Sequence, residues 1–237
     1  AFLTTLGHPD ILVIREGGRT EPFNFTVPYP EPYVPRALTF EVPERIASSG
    51  AVVRPLDEAA VVEIAGRLRE LQVEAVAVCL LWSVANPMHE RRVGALLAAH
   101  LPGVPVTLSH ELNPGLREYR RASSACIDAS LKPLMHDYLS RLEARLREAG
   151  LTGRLLMVTS QGGMMDAAAV AVAPIHAINS GPAMAPVAES KPQAVMCMAS
   201  AASMEWACCG NQTASSRANW RTRARSPAAP RLPPSRM

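Results

Sequence analysis

The sequence predicts an α/β protein, and three observations predict it. Val61, Ile64, Leu68 and Leu71 recur at spacings of 3, 4 and 3, which places them on one helical face. Val73 to Leu81 is a nearly unbroken apolar run, the pattern of a strand buried on both faces. A second helical stretch and a second short strand follow, so helices and strands alternate along the chain. Of 237 residues, 48% are hydrophobic and 19% charged, which is ample for a core and excludes wholesale disorder. No apolar run reaches the roughly 18 residues of a membrane-spanning helix, and no secretion signal opens the chain. Ala1 followed by Phe2-Leu3-Thr4-Thr5 reads like text from inside a longer protein, so a fragment is expected.

The elements follow in order. Ile11-Leu12-Val13-Ile14 is a β-branched run ending at Gly17-Gly18 and predicts a strand and turn. Pro22, Pro28, Pro30, Pro32, Pro35 and Pro43 exclude a regular helix between them, because proline fixes φ and donates no hydrogen bond. Within that stretch, Ala37 to Val42 alternates enough for a short strand. The helix from Asp57 carries Glu63, Arg67, Arg69 and Glu70 largely on its other side. Asn86-Pro87 is an N-cap and first helical residue, and Val93, Leu96 and Leu97 form that helix's buried stripe. Val104 to Leu108 is the next strand. From Ser123 to Ala149, Ile127, Leu131, Leu134, Tyr138, Leu142 and Leu146 recur at 4, 3, 4, 4 and 4. Pro133 lies inside that pattern and predicts a kink or two abutting helices, with Gly150 as the stop. Leu155 to Thr159 is a strand running into Ser160-Gln161-Gly162-Gly163, and the apolar stretch Pro174 to Ile178 leads into Asn179-Ser180-Gly181-Pro182.

Charge and cysteine divide the chain. Residues 1–188 hold 17 Lys and Arg against 19 Asp and Glu, whereas residues 189–237 hold 7 against 2. Cys197, Cys208 and Cys209 also lie in that last stretch, where periodicity is lost and Pro227, Pro230, Pro233 and Pro234 close the chain. The tail reads as disordered. Cys79 and Cys126 read as reduced packing residues of a cytoplasmic protein.

Strand-end glycines are where α/β proteins often present backbone amides to anions. Ser160, Gly162 and Gly163 in one segment, and Ser180 and Gly181 in the other, are the candidate binding residues; both segments are equally ordinary turns. Asn86-Pro87-Met88-His89-Glu90 lacks a second histidine four residues on, since position 93 is Val93, and reads as a helix start with a polar first turn. Arg117-Glu118-Tyr119-Arg120-Arg121 is either an anion clamp or a salt-bridge cluster. Cys126, at helical spacing, reads as core rather than nucleophile. No histidine or cysteine spacing predicts a metal site, and the arginines of the tail lack the aromatic interleaving of a nucleic-acid binder.

A set of motifs runs in order through Thr4-Thr5-Leu6-Gly7-His8-Pro9-Asp10, Arg15-Glu16-Gly17-Gly18-Arg19, Tyr33-Val34-Pro35-Arg36 and Glu41-Val42-Pro43-Glu44-Arg45. It continues through Ala77-Val78-Cys79-Leu80-Leu81, Asn86-Pro87-Met88-His89-Glu90, Ser109-His110-Glu111, Arg117-Glu118-Tyr119, Ser160-Gln161-Gly162-Gly163 and Ser180-Gly181-Pro182-Ala183. This set resembles the hydantoinase/oxoprolinase family of ATP-dependent enzymes, and the resemblance covers residues 1–188. It implies a partial actin-like ATPase-type fold. Residues 1–121 would end the family's N-terminal domain, residues 122–188 would begin its A-type domain, and residues 189–237 would be the tail. It also implies ATP- and Mg²⁺-coupled opening of a small cyclic amide (hydantoin, 5-oxoproline or a lactam), usually with a second hydantoinase-type subunit. Phosphorylation of the amide oxygen would make the carbon open to water. The alternatives are a non-catalytic subunit-binding scaffold and an ATP-dependent ketone carboxylase subunit.

The departures shape the expectation for this chain. The family's two Asp-Gly-Gly-Thr phosphate loops, before Thr4-Thr5 and after Ser-Gly-Pro-Ala, have no counterpart here, so these residues are expected to bind no ATP and to be inactive alone. Ala122, Asp128 and Ser130 stand where Thr, Asn and Tyr are typical. Charge, cysteine content, periodicity and resemblance all change near residue 188, which predicts that the tail is read out of frame. Resequencing the locus checks this: an uninterrupted frame, with tail peptides found in the protein, overturns it.

Overall fold

The structure, a computed structural model, describes residues 1–16, 21, 23–27 and 30–190, the last five by backbone alone. The expected Gly17-Gly18 turn, Pro22, Pro28 and the tail from residue 191 lie outside the described residues. Ala1–Val187 form one compact unit. In order, the elements are β1 (Phe2–Thr5), α1 (Ile11–Ile14), β2 (Thr39–Val42), β3 (Arg45–Ile46), β4 (Val52–Arg54), α2 (Glu58–Glu70) and β5 (Val76–Cys79). Then come α3 (Met88–His100), β6 (Val106–Leu108), α4 (Ser109–Leu112), α5 (Glu118–Glu148), β7 (Leu156–Val158), β8 (Met164–Asp166), α6 (Ala167–Val172) and α7 (Ser180–Ser190).

Four strands make a parallel sheet in the order β2-β1-β5-β6. β1 is an inner strand, pairing Phe2 with Thr39 on one side and with Ala77 on the other, and all four of its residues are buried. The strand expected at Ile11–Ile14 is instead one helical turn, in which Val13 and Ile14 donate their amides to Asp10 O at 2.9 and 2.8 Å. Only Leu12 of that run is buried, so tertiary position overrides β-branched propensity. The strand expected within Ala37–Val42 is β2, entered by a 3-10 turn at Arg36–Leu38.

Alternation along β5 sorts the core into two layers. Val76 and Val78 face α2 and α3, packing with Leu3, Val42, Val61, Leu68, Val93 and Leu97. Asp57 caps α2 by accepting from Ala60 N at 3.0 Å. Leu71 falls off the predicted stripe: it is the C-cap residue, 51% exposed. In α3, Gly94 admits the side chain of Leu108, because a Cβ there would lie 3.1 Å from Leu108 Cδ2. Pro87, expected as the first helical residue of α3, is instead its N-cap, and Asn86 just before it accepts from Met88 N at 3.1 Å.

On the other side of the sheet, Ala77, Cys79, Phe2 and Leu12 meet Ala122, Ala125, Cys126 and Ala129 of α5. Small residues on both surfaces bring helix and sheet close. This overturns the predicted stripe on α5, since Leu134 and Tyr138 are 67% and 52% exposed while the alanines are buried. The periodicity was real, but the sheet selected the helical face whose volume matched its own. Pro133 lies inside α5 without dividing it in two.

Beyond α5, the segment Leu155 to Thr159 forms β7 as expected, yet it pairs antiparallel with β8 instead of joining the main sheet. Pro174–Ile178 is not extended; Pro174 opens a 3-10 turn to Ala177. Fully buried Asp128 holds this region to the sheet. It accepts from Thr107 Oγ1 at 3.0 Å and from Ile175 N at 3.2 Å, and lies 3.4 Å from Lys132 Nζ. Asp128→Ala is therefore expected to cost about 2–4 kcal/mol, because it strands two buried donors and a half-buried ammonium. Asp128→Asn, which keeps an acceptor for Ile175, should cost less. Urea denaturation midpoints check this, and an Asp128→Ala protein as stable as the parent overturns it.

Candidate functional site

In open α/β sheets, ligands bind beyond the carboxyl ends of the strands. Here those ends are Thr5, Val42, Cys79 and Leu108, and the residues just past them converge with the start of α3. Glu44, 2% exposed, accepts a hydrogen bond from Thr5 Oγ1, and its second oxygen lies 2.8 Å from His89 Nδ1. Thr5 Oγ1 in turn accepts from Leu81 N at 3.0 Å.

Glu90 is fully buried beside this pair. Its carboxylate accepts from Leu80 N at 2.9 Å, Ser109 Oγ at 3.0 Å and His110 N at 3.0 Å, with His110 Nδ1 at 2.9 Å. Burial alone would raise its pKa, but hydrogen bonds from the His110 ring and from the Leu80 and His110 amides outweigh that and hold it below the usual carboxylate range. His89 and Glu90 thus correct the sequence reading. They do begin a helix, but its polar first turn points into the protein, with His89 5% and Glu90 0% exposed.

The arginine-rich segment is a salt-bridge cluster. Arg117 pairs with Glu16, and Arg120 donates to the same carboxylate from Nε at 2.8 Å and Nη2 at 3.2 Å. Those hydrogen bonds, Arg120's foremost, lower the pKa of Glu16. Arg121 is fully buried and reaches Leu80 O from Nη2 at 2.9 Å and Gly115 O from Nη1 at 3.1 Å. Cys79 and Cys126 are free and buried. Burial pushes both thiols up to about 12, helped at Cys79 by the charge of Glu90, so neither is a nucleophile near neutral pH.

The candidate residues Ser160, Gly162 and Gly163 form the β7–β8 hairpin turn, with Gly162 at φ +79° where a side chain would be strained. Ser160 N donates to His176 O at 2.7 Å, Gly162 N to Thr159 O at 3.0 Å and Gly163 N to Thr159 Oγ1 at 3.2 Å. Three of the turn's amides are thus engaged within the protein. Ser180 and Gly181 open α7, four and five residues beyond the His176 that bonds Ser160. The bond between Ser160 and His176 ties the hairpin turn to the 3-10 turn ahead of α7, and neither candidate segment joins the carboxyl-edge network.

The convergence of Thr5, Glu44, His89, Glu90, Ser109 and His110 was missed from sequence because they lie on segments far apart along the chain, which only the fold brings together. Elsewhere, a cavity of about 590 Å³ opens at the amino end of β6 between Leu101, Val104, Pro133 and Val172. Its Lys132 is already engaged, by Asp128 and by Val106 O at 3.1 Å. Among the described residues, no helix is long and apolar enough to cross a membrane, and no group of three or more His, Cys, Asp or Glu is placed to hold a metal.

Residues 1–101 match a family model described as hydantoinase/oxoprolinase N-terminal region, and residues 121–193 one described as hydantoinase/oxoprolinase. The alpha subunit of caprolactamase from Pseudomonas jessenii is 40% identical over 200 residues, covering 84% of this chain and 28% of that protein. The acetophenone carboxylase gamma subunit of Aromatoleum aromaticum is 37% identical over 178 residues, covering 70% of this chain and 24% of the relative. The crystal structure of ATP-dependent caprolactamase from Pseudomonas jessenii matches with a TM-score of 0.69 at 36% identity, over 86% of this chain and 29% of that one. The chain therefore spans 28% and 24% of the two relatives' lengths.

Glu90→Gln is expected to cost about 3 kcal/mol at neutral pH, because the carboxylate's donors lose their charged acceptor. The folded pKa is lowered, so this stability is complete above the ordinary carboxylate range and is lost as pH falls through the folded value. The gap between parent and variant should accordingly close on acidification. Denaturation series at several pH values check it, and a gap independent of pH overturns it.

Proposed function

The chain belongs to the hydantoinase/oxoprolinase family, and on that footing we propose that it is part of an ATP-dependent hydrolase that opens the C–N bond of a cyclic amide. The observation that carries this reading is a likeness to one lactam-opening enzyme in both sequence, at 40% identity, and fold, at a TM-score of 0.69. A lactam is the substrate class it favours, with hydantoin and 5-oxoproline as chemical neighbours. A second subunit of the same general type is the partner, since the relatives are themselves named as subunits.

In this reading residues 1–121 end one domain and residues 122–188 begin the next, within a larger actin-like ATPase-type fold. The parallel sheet with helices on both faces supports it. Free, buried Cys79 and Cys126 suit a reducing cytoplasm. The described residues do not by themselves fit a triphosphate: the Ser160–Gly163 amides are largely engaged, and Arg117 and Arg120 already pair with Glu16. ATP and Mg²⁺ belong to the longer protein, where Ser160, Gly162, Gly163, Ser180 and Gly181 would contribute only part of the cleft wall.

A ketone carboxylase subunit is the second reading, favoured by the 37% identity to the acetophenone carboxylase gamma subunit. A non-catalytic scaffold is the third. A chimera separates them, with residues 1–187 replacing the matching segment of the caprolactamase alpha subunit. ATP-dependent opening of caprolactam by the chimera is expected. A folded, subunit-binding chimera that turns over no lactam overturns the proposal; if it carboxylates a ketone the second reading stands, and otherwise the third. The 237-residue chain alone is expected to show no Mg²⁺-dependent ATP turnover in a phosphate-release assay.

A further inference from the structure

Of the chain's four phenylalanines, Phe2 and Phe40 are buried in the core, whereas Phe23 and Phe25 are 92% and 77% exposed. Single exposed apolar residues are ordinary, but two phenylalanines held out at one turn are not. The turn displays them through its own bonding. Asn24 N donates to Glu21 O at 3.1 Å and its Nδ2 to Glu21 Oε2 at 2.8 Å, while its Oδ1 accepts from Thr26 N at 3.1 Å and from Thr26 Oγ1 at 2.6 Å. The polar side chains are engaged within the turn, and the rings on either side of Asn24 stand in solvent. At the base of the loop, Arg36 Nε donates to Asp10 Oδ1 at 3.0 Å, which ties its end to the residue ahead of α1. Ile14, at the end of α1, is itself 68% exposed.

Composition limits what can cover these rings. Pro22, Pro28, Pro30, Pro32 and Pro35 restrict this stretch of chain before any partner arrives, which lowers the ordering cost of binding. From position 21 to position 35 the only charged residues are Glu21 and Glu31. An acidic loop is repelled by an anionic membrane surface. A second copy of this chain would present a body that is itself acidic, with 17 Lys and Arg against 19 Asp and Glu over residues 1–188. We propose that the turn bearing Phe23 and Phe25 docks on the second hydantoinase-type subunit, with Phe23 entering an apolar pocket whose rim carries Lys or Arg opposite Glu21 and Glu31. An aromatic anchor in a pocket, surrounded by polar contacts, is the usual form of an interface hot spot. The proposal rests on the reading of this chain as part of a multi-subunit enzyme.

The test is a calorimetric titration of the caprolactamase chimera carrying residues 1–187 with the other caprolactamase subunit. Phe23 stands in solvent, so Phe23→Ala leaves the fold intact and is expected to weaken binding by roughly tenfold or more. Phe23→Leu, which keeps apolar bulk, should restore most of the affinity. Glu31→Lys, at an exposed position, should weaken binding at low salt and do so less as salt is raised. A Phe23→Ala chimera that binds like the parent, or a parent chimera with no affinity for that subunit, overturns the proposal. So does a Phe23→Ala change that lowers the melting temperature of the isolated chimera and leaves its affinity unaltered, which assigns the turn to a contact within one chain. Loss of self-association on Phe23→Ala, again with affinity unaltered, overturns it in favour of a second copy. Affinity and lactam opening are read separately. A chimera that binds through Phe23 yet opens no lactam overturns the hydrolase reading alone. One that opens lactam with an affinity indifferent to Phe23 overturns the docking alone.

Discussion

The carboxylate of Glu90 is the interaction on which the sheet's carboxyl edge depends. Donors from two separate segments, the turn after β5 and the junction of β6 with α4, close on a charge that has no access to water. Burying a charge is costly unless its oxygens are fully engaged, so the arrangement tolerates few alternatives. It sets where the chain leaves β5 and β6, and it holds the first turn of α3 against both. Glu44 does the same for β1 and β2 through Thr5 and His89.

Leu80 carries this constraint across to the other layer. Its N–H serves Glu90, while its carbonyl receives Arg121 from α5. Seven residues along that helix, on the same face, Asp128 takes the hydroxyl of Thr107 and the amide of Ile175. The two buried charges anchor a helix whose apolar contact is made by small side chains, each contributing little area. Alanines alone would let α5 slide along the sheet; Arg121 and Asp128 set its register.

How much of this was legible in the sequence follows from what each signal measures. α2, β5, α3 and β6 were readable because burial and periodicity agree there: Val61, Ile64 and Leu68 point where the hydrophobic pattern says. Ile11–Ile14 misled because β-branched content reports propensity, whereas the sheet position belongs to Phe2–Thr5. On α5 the large residues gave the clearer stripe, yet the sheet presents Ala77 and Cys79 and accepts only the alanine face. The polar cluster was invisible to any local rule. His89 and Glu90 look like a solvated helix start, and only the fold reveals that Glu44, Ser109 and His110 arrive from distant segments to meet them. Ser160–Gly163 is a turn as read, its amides satisfied by Thr159 and His176, contacts that no spacing announces, whereas Ser180 and Gly181 open α7.

The residues that carry the family resemblance are scattered over more than a hundred positions, and the fold gathers many of them at one edge. Thr5, Glu44, Leu80, Leu81, His89, Glu90, Ser109 and His110 all belong to the two carboxylate networks. The hydrogen bonds given to both carboxylates come from within residues 5–110, so this part of the architecture is internally complete in a chain spanning 28% of its relative. That fits a match of TM-score 0.69 that covers 29% of the caprolactamase chain. The situation differs on the outer half of α5, where Leu134 and Tyr138 stand in solvent. Likeness of fold here rests on satisfied buried charge, gathered at one edge of the sheet from segments far apart along the chain.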